Sequence, residues 1–399
     1  MATQVRHPIW LPALRPPGAR TFAVLYAIES FARAAISSVI PIQAYEILRD
    51  EQGVSILYTI VALLGLSATL FMPMLIERFA RRWVYTAGAL LLAIGSLLFL
   101  SQSLTGQLAG MLARVMGASA LAITLNLYIM DHIHKTELME AESLRMAWST
   151  LAWTGGPTLG VLLYTQFGIL AAHGVVLLFS VILLVLFWIF RLGDNPLIRP
   201  GKTRPANPIA NIGRFISQPR LRLAWLIAFG RSCFWTTFFV YAPLLMVVTG
   251  EGKLAGGLLV SAGNALLFTA LIWGRWGKHH GVRNVMTLAF FAMAAALFVA
   301  AGAGEAVPLL TAAFLLVCAF FAIALDAIAS TAFLRAVHSF ERSQMTAVYR
   351  TYLDLSELLP PLVYSLMLAF FGLGSVFATL GIFMAVCGVV TWRYLPKSM

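Results

Sequence analysis

Charge is what this sequence has least of. Of its 399 residues only 11% are Asp, Glu, Lys or Arg, 60% are hydrophobic, and the mean hydropathy is +0.86. A soluble domain carries about 25% charged residues, so the composition excludes a water-soluble globule and implies an integral membrane protein. Cysteine is scarce too. Cys233, Cys318 and Cys387 fall inside separate apolar runs without metal-ligand spacing, which argues against a disulfide framework or a zinc site and leaves them as small buried hydrophobes. No phosphate-cradling loop, zinc motif or nucleophile elbow occurs, so ATP-driven transport and enzymatic chemistry are not expected, nor is any metal or cofactor. The N-terminal stretch has Arg6, Arg15 and Arg20 among prolines but no small-residue cleavage site after a short apolar core. Residues 1–21 therefore read as a cytoplasmic tail before an uncleaved first span.

What is present instead is a series of long apolar runs. A spanning helix needs about 20 mostly apolar residues. Such runs predict spans at 22–44, 53–75, 84–102, 108–130, 147–167 and 170–191, then at 223–248, 254–273, 284–303, 307–333, 348–371 and 375–395. The expected fold class is an all-α membrane protein of twelve transmembrane helices in two six-helix bundles, 22–193 and 222–395. A polar linker, 194–221, rich in Pro, Asn and Arg, joins them, and 396–399 forms a short cytoplasmic C-terminus.

Lys and Arg set the orientation. With the N-terminus inside, cytoplasmic segments collect 22 of the 28, among them Arg275, Lys278, Arg283 and seven from Arg191 to Arg222. The opposite side holds two, Arg49 and Lys253. The net charge of +12 is thus a topology signal and not the footprint of nucleic acid. Both termini are expected to be cytoplasmic, the lipid bilayer is the partner, and the short loops suggest a bacterial inner membrane.

The remaining basic residues, Arg33, Arg114, Arg231 and Arg350, lie within spans, as do the acids Glu29, Asp326, Asp354 and Glu357. A charge at mid-bilayer costs about 2.5–3.5 kcal/mol on a translocon scale, so equal numbers of each sign imply pairing in the protein interior. Glu29 and Arg33 are four residues apart and share one helix face; Arg350, Asp354 and Glu357, spaced by four and three, make a second stripe. The halves also repeat. Pro41 and Pro243 are 202 positions apart, Asn126 and Asp326 200, and Pro73 and Gly274 201, so that Glu29 matches Arg231 and Arg33 matches Trp235. Near-constant spacing indicates duplicated halves related in parallel.

Six plus six spans with a basic signature after the second and eighth resembles the major facilitator superfamily over nearly the whole chain. Its loop signature, Gly-x-x-x-Asp-Arg-x-Gly-Arg-Arg, is met here by Pro73, Glu77, Arg78, Ala80, Arg81 and Arg82, with both glycines replaced. The second copy keeps Gly274, Gly281 and Arg283 but has Lys278 and His279 in the acid–base pair. The resemblance implies a cytoplasmic latch of Glu77, Arg78, Arg81, Arg82 and Asp131; the alternative is that these arginines only enforce topology. In the fifth span, Gly156, Pro157 and Gly160 of WTGGPTLG resemble the fifth-helix signature of drug–proton antiporters and are candidates for close helix packing.

By the same resemblance, spans 1, 4, 7 and 10 line a central cavity. Glu29 is then the first candidate for proton coupling, in a wet cavity, followed by Asp326, Asp354 and Glu357. Arg33, Arg114, Asn126, Arg231 and Arg350, with an aromatic wall of Trp235, Phe238 and Tyr241, are candidates for substrate binding. Glu29–Arg33 also admits a static reading, an ion pair that fixes helix register. Tyr128 is either a substrate contact or an interface anchor, and His279 and His280 read as solvated loop residues. The expected function is a monomeric proton-coupled secondary transporter that exports small amphipathic compounds by alternating access. Uptake of a small charged metabolite, or a non-transporting sensor on a transporter fold, are the alternatives.

Overall fold

The computed structural model describes residues 18–133, 138–190, 208–337 and 342–396, and among these every regular element is helical. In hydrocarbon each backbone N–H and C=O has to find its partner within the protein, and a helix does this inside one segment. The first run is nevertheless two helices, α1 (Ala19–Ala35) and α2 (Val39–Leu48), and not the single span expected at 22–44. At the joint the Ser37 hydroxyl donates to the Ala34 carbonyl at 2.8 Å, a local bond that competes with the helix ladder. Pro41 falls in the first turn of α2, where its missing N–H leaves no gap. There follow α3 (Glu51–Arg78), whose cap Asp50 accepts from the N–H groups of Gln52 and Gly53, α4 (Arg81–Phe99), α5 (Leu104–His132), α6 (Leu138–Gln166) and α7 (Ile169–Ile189).

The expected linker contains a helix of its own, α8 (Pro208–Ile216), with Phe215 buried. The second set is α9 (Pro219–Val248), then α10 (Lys253–Ala265) and α11 (Ala270–His280) joined by a 3₁₀ turn at Leu266–Thr269, and α12 (Val282–Ala303). It closes with α13 (Pro308–Ala336), α14 (Arg342–Tyr349), α15 (Thr351–Leu368) and α16 (Gly374–Tyr394). Three boundaries correct the sequence reading. The fifth helix starts at Leu138, not 147, which brings Arg145 inside it. The eighth runs on to His280, so His279 and His280 are an exposed last helical turn and not a loop. The eleventh breaks at Arg350, which stands exposed at the α14–α15 joint, so the expected charged stripe is interrupted there. Among the described residues ten helical passes are long and apolar enough to cross a membrane; α6 and the α14–α15 pair make the twelve of the expected fold.

In the first set α1 packs on α6 and α7, and α4 on α5; in the second α12 packs on α13 and α16, and α9 on α13 and α15. The sets meet through α6 against α10, α3 against α15 and α2 against α9. Glycine makes one of these approaches possible. A Cβ at Gly160 would lie 1.5 Å from the Ala35 carbonyl oxygen, and one at Gly156 2.6 Å from the Ala34 methyl, so α6 rests on the joint between α1 and α2. The Pro157 carbonyl and Val161, on the adjoining face, press on Gly257 of α10. One six-residue stretch, 156–161, thus packs α6 on its own half and on the other.

Candidate functional site

Between the two sets lies a cavity of about 420 Å³. The first set contributes Arg33 and Ser37 from the α1 end, Tyr58 from α3, Arg114 from α5 and Trp153 from α6. The second contributes Ser232, Trp235 and Phe239 from α9 and Glu357 from α15. α13, expected from the resemblance to line the cavity as the tenth span, contributes nothing to its wall.

Three of the eight intramembrane charges reach the cavity: Arg33, Arg114 and Glu357. Glu29 does not, contrary to expectation: it has 0% exposure and lies behind Arg33. Arg33 Nη1 donates to Glu29 Oε1 at 3.2 Å, while Glu29 Oε2 has no hydrogen-bond partner among the described residues. Arg145 and the Tyr85 phenol stand within electrostatic reach of it. Arg33, 28% exposed, therefore faces a buried carboxylate on one side and the cavity on the other. Arg114 makes no ion pair among the described residues, and its nearest charges are Arg33 and Glu357. Glu357 is open to the cavity and faces Arg33 and Arg114 without forming an ion pair with either.

The other charges are committed elsewhere. Arg231 ion-pairs with Asp326 across α9 and α13, its second amine donates to the Tyr352 hydroxyl at 3.2 Å, and Trp235 Nε1 donates to Asp326 Oδ2 at 2.9 Å. Neither Arg231 nor Asp326 lines the cavity, contrary to the placement expected of both. Asp354 is half-buried and off the cavity wall, within electrostatic reach of Arg350 and of Glu357. Asn126, expected to bind substrate, is held by Arg145 Nη1 at 2.7 Å. Arg145 also donates to Glu142 at 2.8 Å and lies 4.6 Å from the Tyr26 ring centroid. Sequence reasoning missed it by starting the fifth span too late; the Glu142–Arg145 spacing of three was the available signal.

The bonds between the halves gather at the end that carries Lys253. Ser55 and Tyr241 join hydroxyls at 2.7 Å, Thr158 Oγ1 donates to Ser261 at 2.7 Å and to the Gly257 carbonyl at 3.2 Å, and Lys253 ion-pairs with Glu46. Tyr164 donates to the same Glu46 carboxylate. A twelve-helix chain with a central cavity walled by both halves is the architecture that the comparison with known families then names. The model of the Major Facilitator Superfamily matches residues 22–269 and 257–398. The chain belongs to the Major Facilitator Superfamily. It is a multi-pass membrane protein of a transporter family. No curated protein matches it by sequence. Among solved structures it is similar to a POT family transporter in complex with 5-aminolevulinic acid, with a TM-score of 0.75 and 14% identity over 95% of this chain and 96% of that one. It is also similar to the nucleoside transporter NupG (TM-score 0.73, 12% identity, 94% and 99% covered) and to the peptide transporter POT in complex with sulfate (TM-score 0.72, 13% identity, 96% and 95% covered). At such identities the likeness shows the fold alone.

In this member of the superfamily the aromatic wall differs from the expected one. Trp235 lines the cavity, but Phe238 is buried against Gly263 of α10, and Tyr241 is buried in the bond to Ser55. The cavity-facing aromatics are Tyr58, Trp153, Trp235 and Phe239, with Phe239 5.9 Å from Trp235 and 5.3 Å from Trp153 between ring centroids. Phe238 and Phe239 follow Trp235 by three and four residues, spacings that both share its helix face, so helix periodicity alone does not choose between them. Tyr128 packs edge-on against Phe187, away from the cavity. Of the expected latch, the side chains of Glu77 and Asp131 lie outside the described residues; Arg78 is exposed, and Arg81 and Arg82 are half-buried at the start of α4.

Proposed function

We propose that the chain is a proton-coupled secondary transporter of the bacterial inner membrane that exports small amphipathic compounds by alternating access. The bundles 22–193 and 222–395 rock about the cavity, which mixes four aromatic side chains with three charges. The observation that carries this reading is the position of Arg33, shared between buried Glu29 and the cavity. A ligand that draws the guanidinium toward itself leaves Glu29 without its partner, and an isolated carboxylate in a dry interior favours its protonated form. Substrate and proton occupancy are thereby linked through one side chain. With the basic loops taken as cytoplasmic, the closed end is the outer one and the cavity belongs to an inward-facing state.

The test is proton movement in inverted vesicles that carry the protein, read with a pH-sensitive dye while cationic, zwitterionic and anionic compounds are added. Release of lumenal protons on addition of a compound, lost in Glu29→Gln at equal amounts of folded protein, is the expected result. Unchanged coupling in Glu29→Gln would reduce the Glu29–Arg33 pair to a static brace. Uptake of a small charged solute is the second reading, favoured by Arg114 in the wall, which has no ion-pair partner among the described residues. It predicts accumulation of a labelled anion in right-side-out vesicles.

A further inference from the structure

The charges of the cavity are not distributed evenly between its walls. Arg33 and Arg114 stand on the first half, close enough to repel each other, and Glu357 is the charge that the second half brings to the wall, with Asp354 within electrostatic reach of it on the same helix. Arg33 has one tie, to Glu29, whereas Arg114 and Glu357 have no ion pair or side-chain hydrogen bond among the described residues. Opposite charges left apart across a shared cavity are both available to a ligand that carries both signs. A purely anionic ligand would satisfy the arginines and repel Glu357. A purely cationic one would satisfy Glu357 and meet two guanidinium groups. Trp153, Trp235 and Phe239 offer an apolar shelf beside these charges, with the hydroxyls of Ser37, Thr236 and Tyr58 around it.

We infer that the cavity binds a small amphipathic zwitterion, with its anionic group between Arg33 and Arg114, its cationic group on Glu357 and its apolar body against the Trp153–Trp235–Phe239 shelf. This assignment rests on the reading of the cavity as the transport site and adds the substrate class to it. A volume of about 420 Å³ falls in the range of pockets for small molecules and suits a compound the size of an aromatic amino acid or a dipeptide. Such a ligand touches both halves through different charges. Its contacts therefore differ between conformations in which the halves are tilted differently, which is the condition for a ligand to bias a conformational equilibrium.

The test is calorimetric titration of the purified full-length protein with phenylalanine and with the dipeptide Ala-Phe, each beside its N-acetylated form (anion only) and its C-terminal amide (cation only). At least one zwitterion is expected to bind about tenfold or more tightly than either of its capped forms, the size of losing one charge-assisted hydrogen bond. In Glu357→Gln the advantage over the N-acetyl form disappears; in Arg114→Gln the advantage over the amide disappears. Melting curves establish that each variant is folded. Should Arg114→Gln not fold, Glu357→Gln carries the test, because its side chain is open to the cavity and glutamine keeps its shape. The inference is overturned if neither zwitterion binds the folded wild type, if a capped form binds as tightly, or if folded Glu357→Gln keeps the discrimination. Coupled proton movement with a cation and no zwitterion binding would leave the transporter reading standing and remove this one. Zwitterion binding without proton movement would do the reverse for proton coupling.

Discussion

Arg145 shows how much one side chain can hold together. It joins α6 to α5 through Asn126, to α1 through the Tyr26 ring, and to its own first turns through Glu142. Its side chain is 14% exposed; Glu142, at 52%, has water to turn to, whereas the half-buried Asn126 has less. Arg145→Met keeps the aliphatic stem and removes the fork, leaving Asn126 Oδ1 without its donor. The expected loss is about 1–3 kcal/mol of stability, read as a lowered melting temperature in detergent, with Arg145→Lys in between because an ammonium cannot span both acceptors in the same plane. No change in melting would show that the fork is dispensable. Legibility at this scale followed sequence distance. Glu29–Arg33 was readable because a spacing of four fixes neighbours on one helix. Arg231–Asp326 was not, because its partners lie 95 positions apart and only the packing of α9 on α13 brings them together. The same ignorance of packing put Phe238 in the cavity wall and left Phe239 out.

At the scale of elements the duplication survives in chemistry more than in geometry. Both halves clamp a guanidinium to the matched pair Asn126 and Asp326, and both lay it over a tyrosine ring. The arginine comes from the fifth pass and the tyrosine from the first in one half, while the arginine comes from the seventh and the tyrosine from the eleventh in the other. The backbone breaks are likewise unmatched. The first pass is jointed at residues 36–38 while α9 carries Pro243 unbroken, and the eighth has a 3₁₀ turn where α3 is continuous. Apolar periodicity gives spans but not joints, since these arise from local bonds such as Ser37 to Ala34 and from what packs beside them. α6 packs beside the first joint, and its glycines are what allow it. Gly160→Ala sets a methyl group into the Ala35 carbonyl and has to push α6 off α1, so the yield of monodisperse protein should fall and the remainder melt at a lower temperature, a loss of about 1–3 kcal/mol or more. Gly155→Ala, five residues earlier on the same helix with nothing within 4 Å of the added carbon, should behave as wild type. Equal behaviour of the two variants would remove close packing as the reason for glycine here.

For the molecule as a whole the question is what keeps the cavity closed at one end. Three sets of polar contacts do so: Ser55 with Tyr241, Thr158 with Ser261, and Lys253 with Glu46 and Tyr164. Lys253 entered the sequence reading only as one of two basic residues on the side with few, a count that says nothing about whom it touches. In the structure it crosses from one half to the other, and Glu46 answers it with one oxygen while the second accepts from Tyr164. The ion pair is partly exposed, at 35% for Lys253 and 25% for Glu46, so its worth is bounded at about 1 kcal/mol. That bound still decides something, because an alternating-access protein needs its two states within a few kcal/mol of each other. Removing about 1 kcal/mol from one state shifts the equilibrium about fivefold toward the other. Lys253→Gln should therefore open the cavity at this end more often. A cysteine placed at Ala118 in the cavity wall reports it, with little background because Cys233, Cys318 and Cys387 are all buried. Labelling of that cysteine by a membrane-impermeant maleimide applied from the side of Lys253 should rise by up to about fivefold over the same cysteine with Lys253 intact. Glu46→Gln should raise it further, since it weakens the contacts of Lys253 and of Tyr164 together. A fall in labelling, or none in either variant, would mean that the Ser55–Tyr241 and Thr158–Ser261 contacts hold the halves together unaided.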